Sequence, residues 1–361
     1  MFRAVDYRRF IFALAFLTTC AVILVFHSKG KKNLAELLLT SETVDPGERP
    51  PSKRREPMEI FFIESSGHSC LTARQACGIE SAARANPQAK ISVYVQNTPV
   101  NPSWPETYQD GQDLSNCPIT RVLLQKMANV RVVQENLLPH LQDTPLWQLY
   151  TTGSFNKSTW RPFHLSDAVR VALLWKKGGL YLDLDCIVLR SLDSLNNTVG
   201  SLNNAVGTVD YSIPNWVENG VMAFPSGHPF LHFLMKYMVL AFEPDRYMSL
   251  GPETLTEAIR YFCDRDDDLL IDQWMFCWHR SSIFIQQSRS FYAIPGARLN
   301  AFYQPEFDPA DWDMLHRYSF LSHIYGSGHG QHVPPGSLYA QLAVKYCPTS
   351  FRLATETSSQ F

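Results

Sequence analysis

The chain has 361 residues, 45% of them hydrophobic and 18% charged, with a formal net charge of −2 at pH 7. This near-neutral balance argues against nucleic acid as a partner, for which a basic face is expected. The first recognisable element is an uncharged apolar run over residues 10–26, FIFALAFLTTCAVILVF. It is slightly short against the ~20 residues of a typical membrane span, but inside the usual range. No small-residue cleavage site follows it, so a retained signal anchor is the expectation and a cleaved signal peptide the alternative. Arg3, Arg8 and Arg9 on one flank nearly balance Lys29, Lys31 and Lys32 on the other, so charge alone does not orient the span. The expected organisation is a cytoplasmic tail over 1–9, a transmembrane helix over 10–26 and a polar, proline-bearing stem over 27–57. Residues 58–361 then form the globular part, enough for one large or two closely packed domains.

Within the globular part, Glu59–Ile63 is predicted as a strand, Leu71–Asn86 as a helix and Ile91–Val95 as a second strand. Ile119–Met127 reads as a helix and Val130–Val133 as a third strand. This order predicts an α/β fold, a mostly parallel sheet with helices on both faces, and such sheets bind nucleotides at the carboxyl ends of their strands. Glu64, Ser65 and Ser66 leave the first strand directly and are placed to meet a nucleotide; a plain turn with a capping serine is the alternative. His164–Trp175 suits a largely buried helix. On it Asp167 and Arg170 are i,i+3 neighbours, and Ser166 is a candidate N-cap. The pair Gly178-Gly179 then stops the helix.

Next comes the most informative stretch, Gly178-Gly179-Leu180-Tyr181-Leu182-Asp183-Leu184-Asp185. In a regular strand, residues i and i+2 face the same side, so Asp183 and Asp185 can aim at one point. Two close carboxylates repel unless a proton or a cation intervenes. A hard divalent ion, Mn²⁺ or Mg²⁺, is the natural third party, and such ions hold phosphate groups. A D-x-D triplet alone is more often a solvated turn; the glycine stop and the helix before it give it weight.

Further on, Trp216 could stack on a sugar ring or serve as a core aromatic, with Glu218 and Asn219 beside it. His228-Pro229-Phe230-Leu231-His232 lacks the Glu of a zinc-protease motif and reads as a helix start with Pro229 in its first turn. Asn156 and Asn196 head two N-x-[ST] sequons, which matter only in a secretory lumen. Of the 8 cysteines, Cys20 lies in the apolar run. Cys70 with Cys77 and Cys263 with Cys277 are the favoured local pairs, connectivity being open, and Cys186 suits a buried thiol.

The pattern S-D-x-x-R…G-G-x-Y-x-D-x-D, from Ser166 to Asp185, resembles the signature of the α-1,4-glycosyltransferases. Phe61–Ser66 is similar to that family's F-x-E-T-S strand, Cys77–Arg84 to its C-x-[IV]-E-S-A-A helix and Gly251–Thr256 to its G-P-x-x-L-T. Pro214–Phe224 resembles an acceptor-side strand, and Tyr346–Thr349 a C-terminal motif of galactosyltransferase members. The resemblance spans about residues 60 to 350 and implies a GT-A type, Rossmann-like fold behind a single transmembrane helix. It also implies a type II Golgi membrane protein with a lumenal catalytic domain.

The same resemblance implies metal-dependent, retaining transfer from a UDP-sugar, with Mn²⁺ as the ion. The acceptor would be a glycosphingolipid, and the linkage α-1,4. Metal binding falls to Asp183, Asp185 and the late His323, where Tyr325 replaces the tryptophan of the family's H-x-W. Donor binding falls to Phe62, Glu64, Ser65, Asp167, Arg170, Tyr181 and Asp183, and acceptor binding to Trp216 and Asn219. A front-face route needs no enzymic base; a covalent route would use Glu218; both stay open. UDP-GalNAc, used by invertebrate members, is placed first and UDP-galactose second, the latter as in a lactosylceramide-type galactosyltransferase. A homo-oligomer or a membrane-protein partner stays open. A silent glycan-binding or scaffold protein and a metal-dependent phosphohydrolase are the readings from other classes.

Overall fold

The computed structural model describes residues 57–68, 70–97, 117–196, 205–208, 217–263, 283–326, 331–356 and 361. Strands β1 (Glu59–Glu64), β2 (Lys90–Gln96) and β3 (Val130–Glu135) pair in parallel. Their sequences, EIFFIE, KISVYVQ and VRVVQE, are rich in the β-branched and aromatic residues that suit a pleated, covered surface. Helix α1 (Ala73–Ala85) joins the first two, opened by a reciprocal capping box between Thr72 and Gln75. Helix α2 (Pro118–Lys126) leads into the third. Alternation along β1 sends Ile60 and Phe62 into one core with Ile79, Ala82 and Val93, while Phe61 packs on Tyr94 and Tyr181. Each such fully buried side chain stabilises the fold by roughly 1.5–3 kcal/mol.

Helix α3 (Arg161–Lys177) is buried along most of its length and ends at Gly178, whose φ is +69°. Ser166 sits in its second turn and does not cap the helix, whose N-cap position is Trp160 and which has no side-chain capping bond. Gly179 (φ +112°) opens β4 (Gly179–Leu182); a Cβ there would meet Glu59 O at 2.5 Å, so the second glycine permits β4 to lie against β1. The sheet is mostly parallel, as expected, but takes in one antiparallel strand. Strand β7 (Val217–Phe224) runs antiparallel to both β4 and β6 (Ala205–Thr208), and β8 (Phe284–Gln286) closes the far edge parallel to β6. The order is β3-β2-β1-β4-β7-β6-β8. Antiparallel return is what lays residues 218–220 beside the end of β4, where Asp183 N–H donates to Gly220 O at 2.8 Å.

A second, two-stranded sheet pairs β5 (Cys186–Val188) with β9 (Leu321–His323). Helices α4 (Pro229–Ala241) and α5 (Pro252–Phe262) pack against α3 and β7. At the C-terminus, α6 (Leu338–Tyr346) and α7 (Pro348–Glu356) are tied to α1 twice. Cys77 is disulfide-bonded to Cys347, and fully buried Glu80 accepts from the N–H groups of Thr349 and Ser350 at 3.0 and 2.7 Å. A carboxylate at the first turn of α7 satisfies orphan donors there and suits the helix dipole. The motifs Cys77–Arg84 and Tyr346–Thr349 therefore meet each other as a structural tie.

The local disulfide expectation is corrected. Cys70 pairs with Cys117, a separation of 47 residues, and Cys77 with Cys347. Cys77 points from α1 towards the C-terminal helices, away from Cys70. Cys263 is disulfide-bonded, its expected partner Cys277 lying outside the described residues, and Cys186 is free and buried as expected.

The expected transmembrane helix is also corrected. Residues 10–26 lie outside the described residues, and among the described residues no helix is long and apolar enough to cross a membrane. The longest, α3, has 17 residues and carries Asp167 and Arg170 at its middle; a span needs ~20 apolar ones. The structure therefore gives no support to a membrane-spanning fold, a signal-anchor type II topology or a Golgi membrane location.

Helix α4 begins as predicted, with Pro229 at its first position; His228 caps it by accepting Phe230 N–H at 3.3 Å. Burial holds the His228 imidazole down at about 4, against an ordinary 6.5. The neutral ring is favoured in the fold, so its stabilisation is complete above pH 6.5 and is lost as pH falls towards 4. His228→Asn keeps a capping acceptor that does not titrate. Between about pH 7.5 and 5, urea unfolding should show the variant losing about 2 kcal/mol less stability than wild type; equal losses would contradict the assignment.

Candidate active site

The strand order turns back between β1 and β4, and the carboxyl ends of both strands open into a cavity of about 740 Å³. That is the crevice where open α/β sheets place ligands. Asp183, Asp185, Asp167, Arg170, Glu218 and His323 all line it.

The two aspartates do not lie on a regular strand. Strand β4 ends at Leu182, and Cys186 N–H donates to Asp183 O at 3.1 Å, closing a tight turn over 183–186. What makes the carboxylates converge is the β5–β9 register, which sets His323 opposite Cys186. His323 Nε2 lies 3.4 Å from Asp183 Oδ2 and 3.3 Å from Asp185 Oδ1. The turn after β9 wraps Asp185: Ile324 N–H donates to its carbonyl at 3.0 Å, and Gly326 N–H to its Oδ2. Tyr325 reaches this geometry with a φ of +53°, uncommon for a non-glycine residue, and its N–H donates to His323 Nδ1 at 3.1 Å. The ring therefore turns Nε2 to the aspartates.

Arg170 holds the other side. Its guanidinium is buried, 3.2 Å from Asp167 Oδ1 and 3.3 Å from Asp183 Oδ1. It donates to Asn219 O and Ser166 Oγ, each at 2.9 Å, and lies 4.4 Å over the Tyr181 ring. Tyr181 donates its hydroxyl to Asp183 Oδ1 at 2.5 Å. Asn219 Nδ2 donates to Asp167 Oδ1 at 2.8 Å, so the side chain expected at the acceptor belongs to this network.

Electrostatics follow from this packing. Burial alone would raise Asp183, but Arg170 and His323 overcome it and hold the carboxyl at about 2. Burial would lower His323, but Asp185 and Asp183 hold it up at about 9. Glu218 is pushed up to about 7 by burial, only partly offset by His323, and Asp167 is raised by burial despite Arg170.

Strand β7 delivers Glu218 and Asn219 together through an irregularity. Val206 pairs with Met222, but the next residue, Gly207, pairs with Glu218, so residues 219–221 bulge out of the ladder. Neighbouring residues of a regular strand face opposite sides; a bulge beside a site re-aims them, and here both line the cavity. Beyond β1, Glu64 accepts from Ser66 N–H at 2.7 Å and from Gln75, while Ser65 Oγ donates to Pro162 O at 2.7 Å. Both line the cavity, whereas Phe62 is fully buried in the core and Ile63 reaches the wall instead. Trp216 lies outside the described residues. Asn156 is exposed, and Asn196 closes a short helix over Asp193–Asn196.

Sequence reasoning missed Ser166 as an Arg170 partner, Phe163 and Tyr247 at the cavity mouth, and Gly220 beneath Asp183. Only Gly220, next to Asn219 in a strand interior, carried a signal, since an isolated strand glycine marks a bulge or a close approach.

The donor set suits a hard divalent cation. Asp185, Cys186 and His323 offer ligand atoms within 4.8 Å of one another, with Asp183 adjoining through His323. Burial pushes the Cys186 thiol well up, so it stays protonated and the carboxylates and imidazole are the plausible ligands. Asp185 Oδ1 is buried without a hydrogen-bond partner, an acceptor that a cation would satisfy.

Two family models match the chain. The glycosyltransferase sugar-binding region containing the DXD motif covers residues 72–201, and the alpha 1,4-glycosyltransferase conserved region covers residues 223–354. The chain is 28% identical to lactosylceramide 4-alpha-galactosyltransferase of Mus musculus, over 95% of this chain and 89% of that one. The Rattus norvegicus protein of the same name is 29% identical, over 83% and 76%. Alpha-1,4-N-acetylglucosaminyltransferase of Homo sapiens is 25% identical, over 81% and 79%. Together with the D-x-D site, these matches make the chain a GT-A type glycosyltransferase related to the lactosylceramide 4-alpha-galactosyltransferase family.

Proposed function

We propose that the protein transfers galactose from UDP-galactose, with retention and in α-1,4 linkage, to the terminal sugar of a glycosphingolipid, with Mn²⁺ as cofactor. The observation that carries this is the convergence of Asp183, Asp185 and His323 beside buried Arg170, in a chain whose relatives are named galactosyltransferases. Those names favour galactose over the N-acetylgalactosamine expected first from the sequence.

In this reading Asp183, Asp185 and His323 hold the ion. With Nδ1 accepting from Tyr325, the His323 proton sits on Nε2; ligation through Nε2 requires that contact to be released. A bound Mn²⁺ would neutralise charge on the diphosphate as UDP leaves. Arg170 keeps Asp183 ionised and fixed, and Asp167 with Asn219 lines the sugar's place. Glu64, Ser65 and Tyr181 complete the donor side, Glu64 and Ser65 at the nucleotide end. In the front-face route the bond from C1 to the phosphate oxygen breaks, the acceptor O4 bonds to C1 on the same face, and the O4 proton passes to the departing phosphate. A Glu218 held near 7 is a poor standing nucleophile at neutral pH, which favours that route over a covalent one.

Four outcomes are expected. Asp183→Ala and Asp185→Ala should each lower galactose transfer by about 10³-fold, Asp185→Ala with a circular dichroism melt near wild type and Asp183→Ala with a lowered one, because it strips buried Arg170 of a partner. EDTA should abolish wild-type transfer and Mn²⁺ restore it; turnover in EDTA, or near-normal rates in either variant, would refute the metal assignment. A Cβ at position 220 would meet Asp183 Oδ2 at 2.6 Å and His323 Nε2 at 3.1 Å. Gly220→Ala should therefore weaken Mn²⁺ binding, measured by calorimetry, in a protein that still folds. Glu218→Gln should retain at least about 1% of wild-type turnover, because a true nucleophile lost would cost more; complete inactivity would favour the covalent route.

A further inference from the structure

We infer that Trp160, Phe163 and Tyr247 form the platform on which the acceptor's sugar ring stacks. The inference rests on the transferase reading above. Large apolar or aromatic side chains left exposed are few among the described residues, and three of them meet here: Trp160 at 39%, Phe163 at 47% and Tyr247 at 44% exposure. Their ring centroids lie 5.0–6.2 Å apart in edge-to-face contacts. Phe163 and Tyr247 line the mouth of the cavity, and Trp160 buttresses both.

The patch is built, not incidental. Trp160 Nε1 donates to Asp245 O at 3.2 Å, so the polar edge of the half-exposed indole is bonded within the fold. Thr159 N–H donates to Pro244 O at 3.1 Å. Buried His164 places Nε2 3.1 and 3.2 Å from the carbonyl oxygens of Arg246 and Tyr247. The loop over 244–248 is thereby stitched to the start of α3, and the rings are positioned before any ligand arrives, which lowers the ordering cost of binding.

The chemistry points to a hexose. An aromatic face carries negative charge density that attracts the polarised C–H groups on one face of a pyranose. The platform shares a helix with the site floor: Phe163 precedes Asp167 by one turn and Arg170 by two, about 6 and 10 Å along the axis. A ring stacked at the mouth thus presents a hydroxyl towards the floor. Burial and the nearby Asp167 push the Tyr247 hydroxyl up to about 12, so it remains a neutral donor for a sugar oxygen. The charged Asp245 and the ion-paired Arg246 flank the rings and suit a polar ligand better than a lipid surface.

The test uses the full chain with Mn²⁺, UDP-galactose and either a water-soluble lactoside or lactosylceramide in phosphatidylcholine vesicles. Phe163→Ala and Trp160→Ala should each raise the KM for soluble lactoside about tenfold, with the UDP-galactose KM and acceptor-independent UDP release within twofold of wild type. Phe163→Tyr should restore the acceptor KM, which a fold defect would not allow, and Leu240→Ala, an exposed apolar residue elsewhere, should change nothing. An unchanged lactoside KM overturns the platform. So does a rise in the donor KM instead, which would assign the rings to the nucleotide, or a defect seen only with vesicles, which would assign them to the lipid surface. Saturation-transfer NMR with lactoside and other hexosides separates the two proposals. Hexoside binding lost in Phe163→Ala supports the platform even if the wild type transfers no galactose; a wild type that binds none sinks it.

Discussion

One buried guanidinium organises the site. Arg170 is the point where α3, β4 and the β7 bulge meet, because it needs partners on every side once it leaves water. It finds Ser166 and Asp167 on its own helix, Asp183 beyond β4 and the Asn219 carbonyl in the bulge. Breaking such a buried pair on one side costs about 3–5 kcal/mol, since the remaining charge is stranded. The geometry is accordingly stiff: any movement of Asp183 towards solvent would also uncover Arg170 and, through it, Asp167 and Asn219.

Around that cation the carboxylates are in excess. Glu64, Asp167, Asp183, Asp185 and Glu218 line one cavity, faced by Arg74, Arg170, His68 and His323. The consequences are visible in the shifts already described: Glu218 held up near 7, His323 near 9, and Asp183 held down near 2 by Arg170, His323 and the Tyr181 hydroxyl. Like charges gathered beyond what local cations neutralise mark a place prepared for an added positive charge. Buried Asp185 Oδ1, ion-paired with His323 but without a hydrogen bond, marks the same place by geometry.

Legibility in the sequence followed the range of the interactions. The first three strands and α1 read correctly because alternation and glycine stops are local, as at Gly178 with Gly179, whereas the capping box of Thr72 with Gln75 went unread. The ion pair Asp167–Arg170 read correctly for the same reason. The D-x-D was legible as chemistry but not as shape, since Asp183 leaves the strand to bond Gly220, a residue remote in the chain. Cys77 finds a partner 270 residues away, which no spacing rule could supply, and the antiparallel return of β7 inside a mostly parallel sheet was likewise beyond local order. Phe62 was read from a motif as a donor contact, yet strand alternation buries it and turns Ile63 to the cavity.

The first turn and the middle of α3 divide the labour of one cavity. Its middle carries the charges that must not move, and its first turn carries aromatic rings whose outer faces remain uncovered. Burial favours the opposite arrangement, rings inside and charges outside. An inversion of that kind on one helix is sustained only where every buried charge is matched, as at Arg170, and where the exposed rings are held by their polar edges, as Trp160 is by Asp245. A rigid helix linking the two fixes the distance between a stacked ring at the mouth and the ionised floor. Such control of position, more than any single contact, is what a transfer between two bound sugars requires.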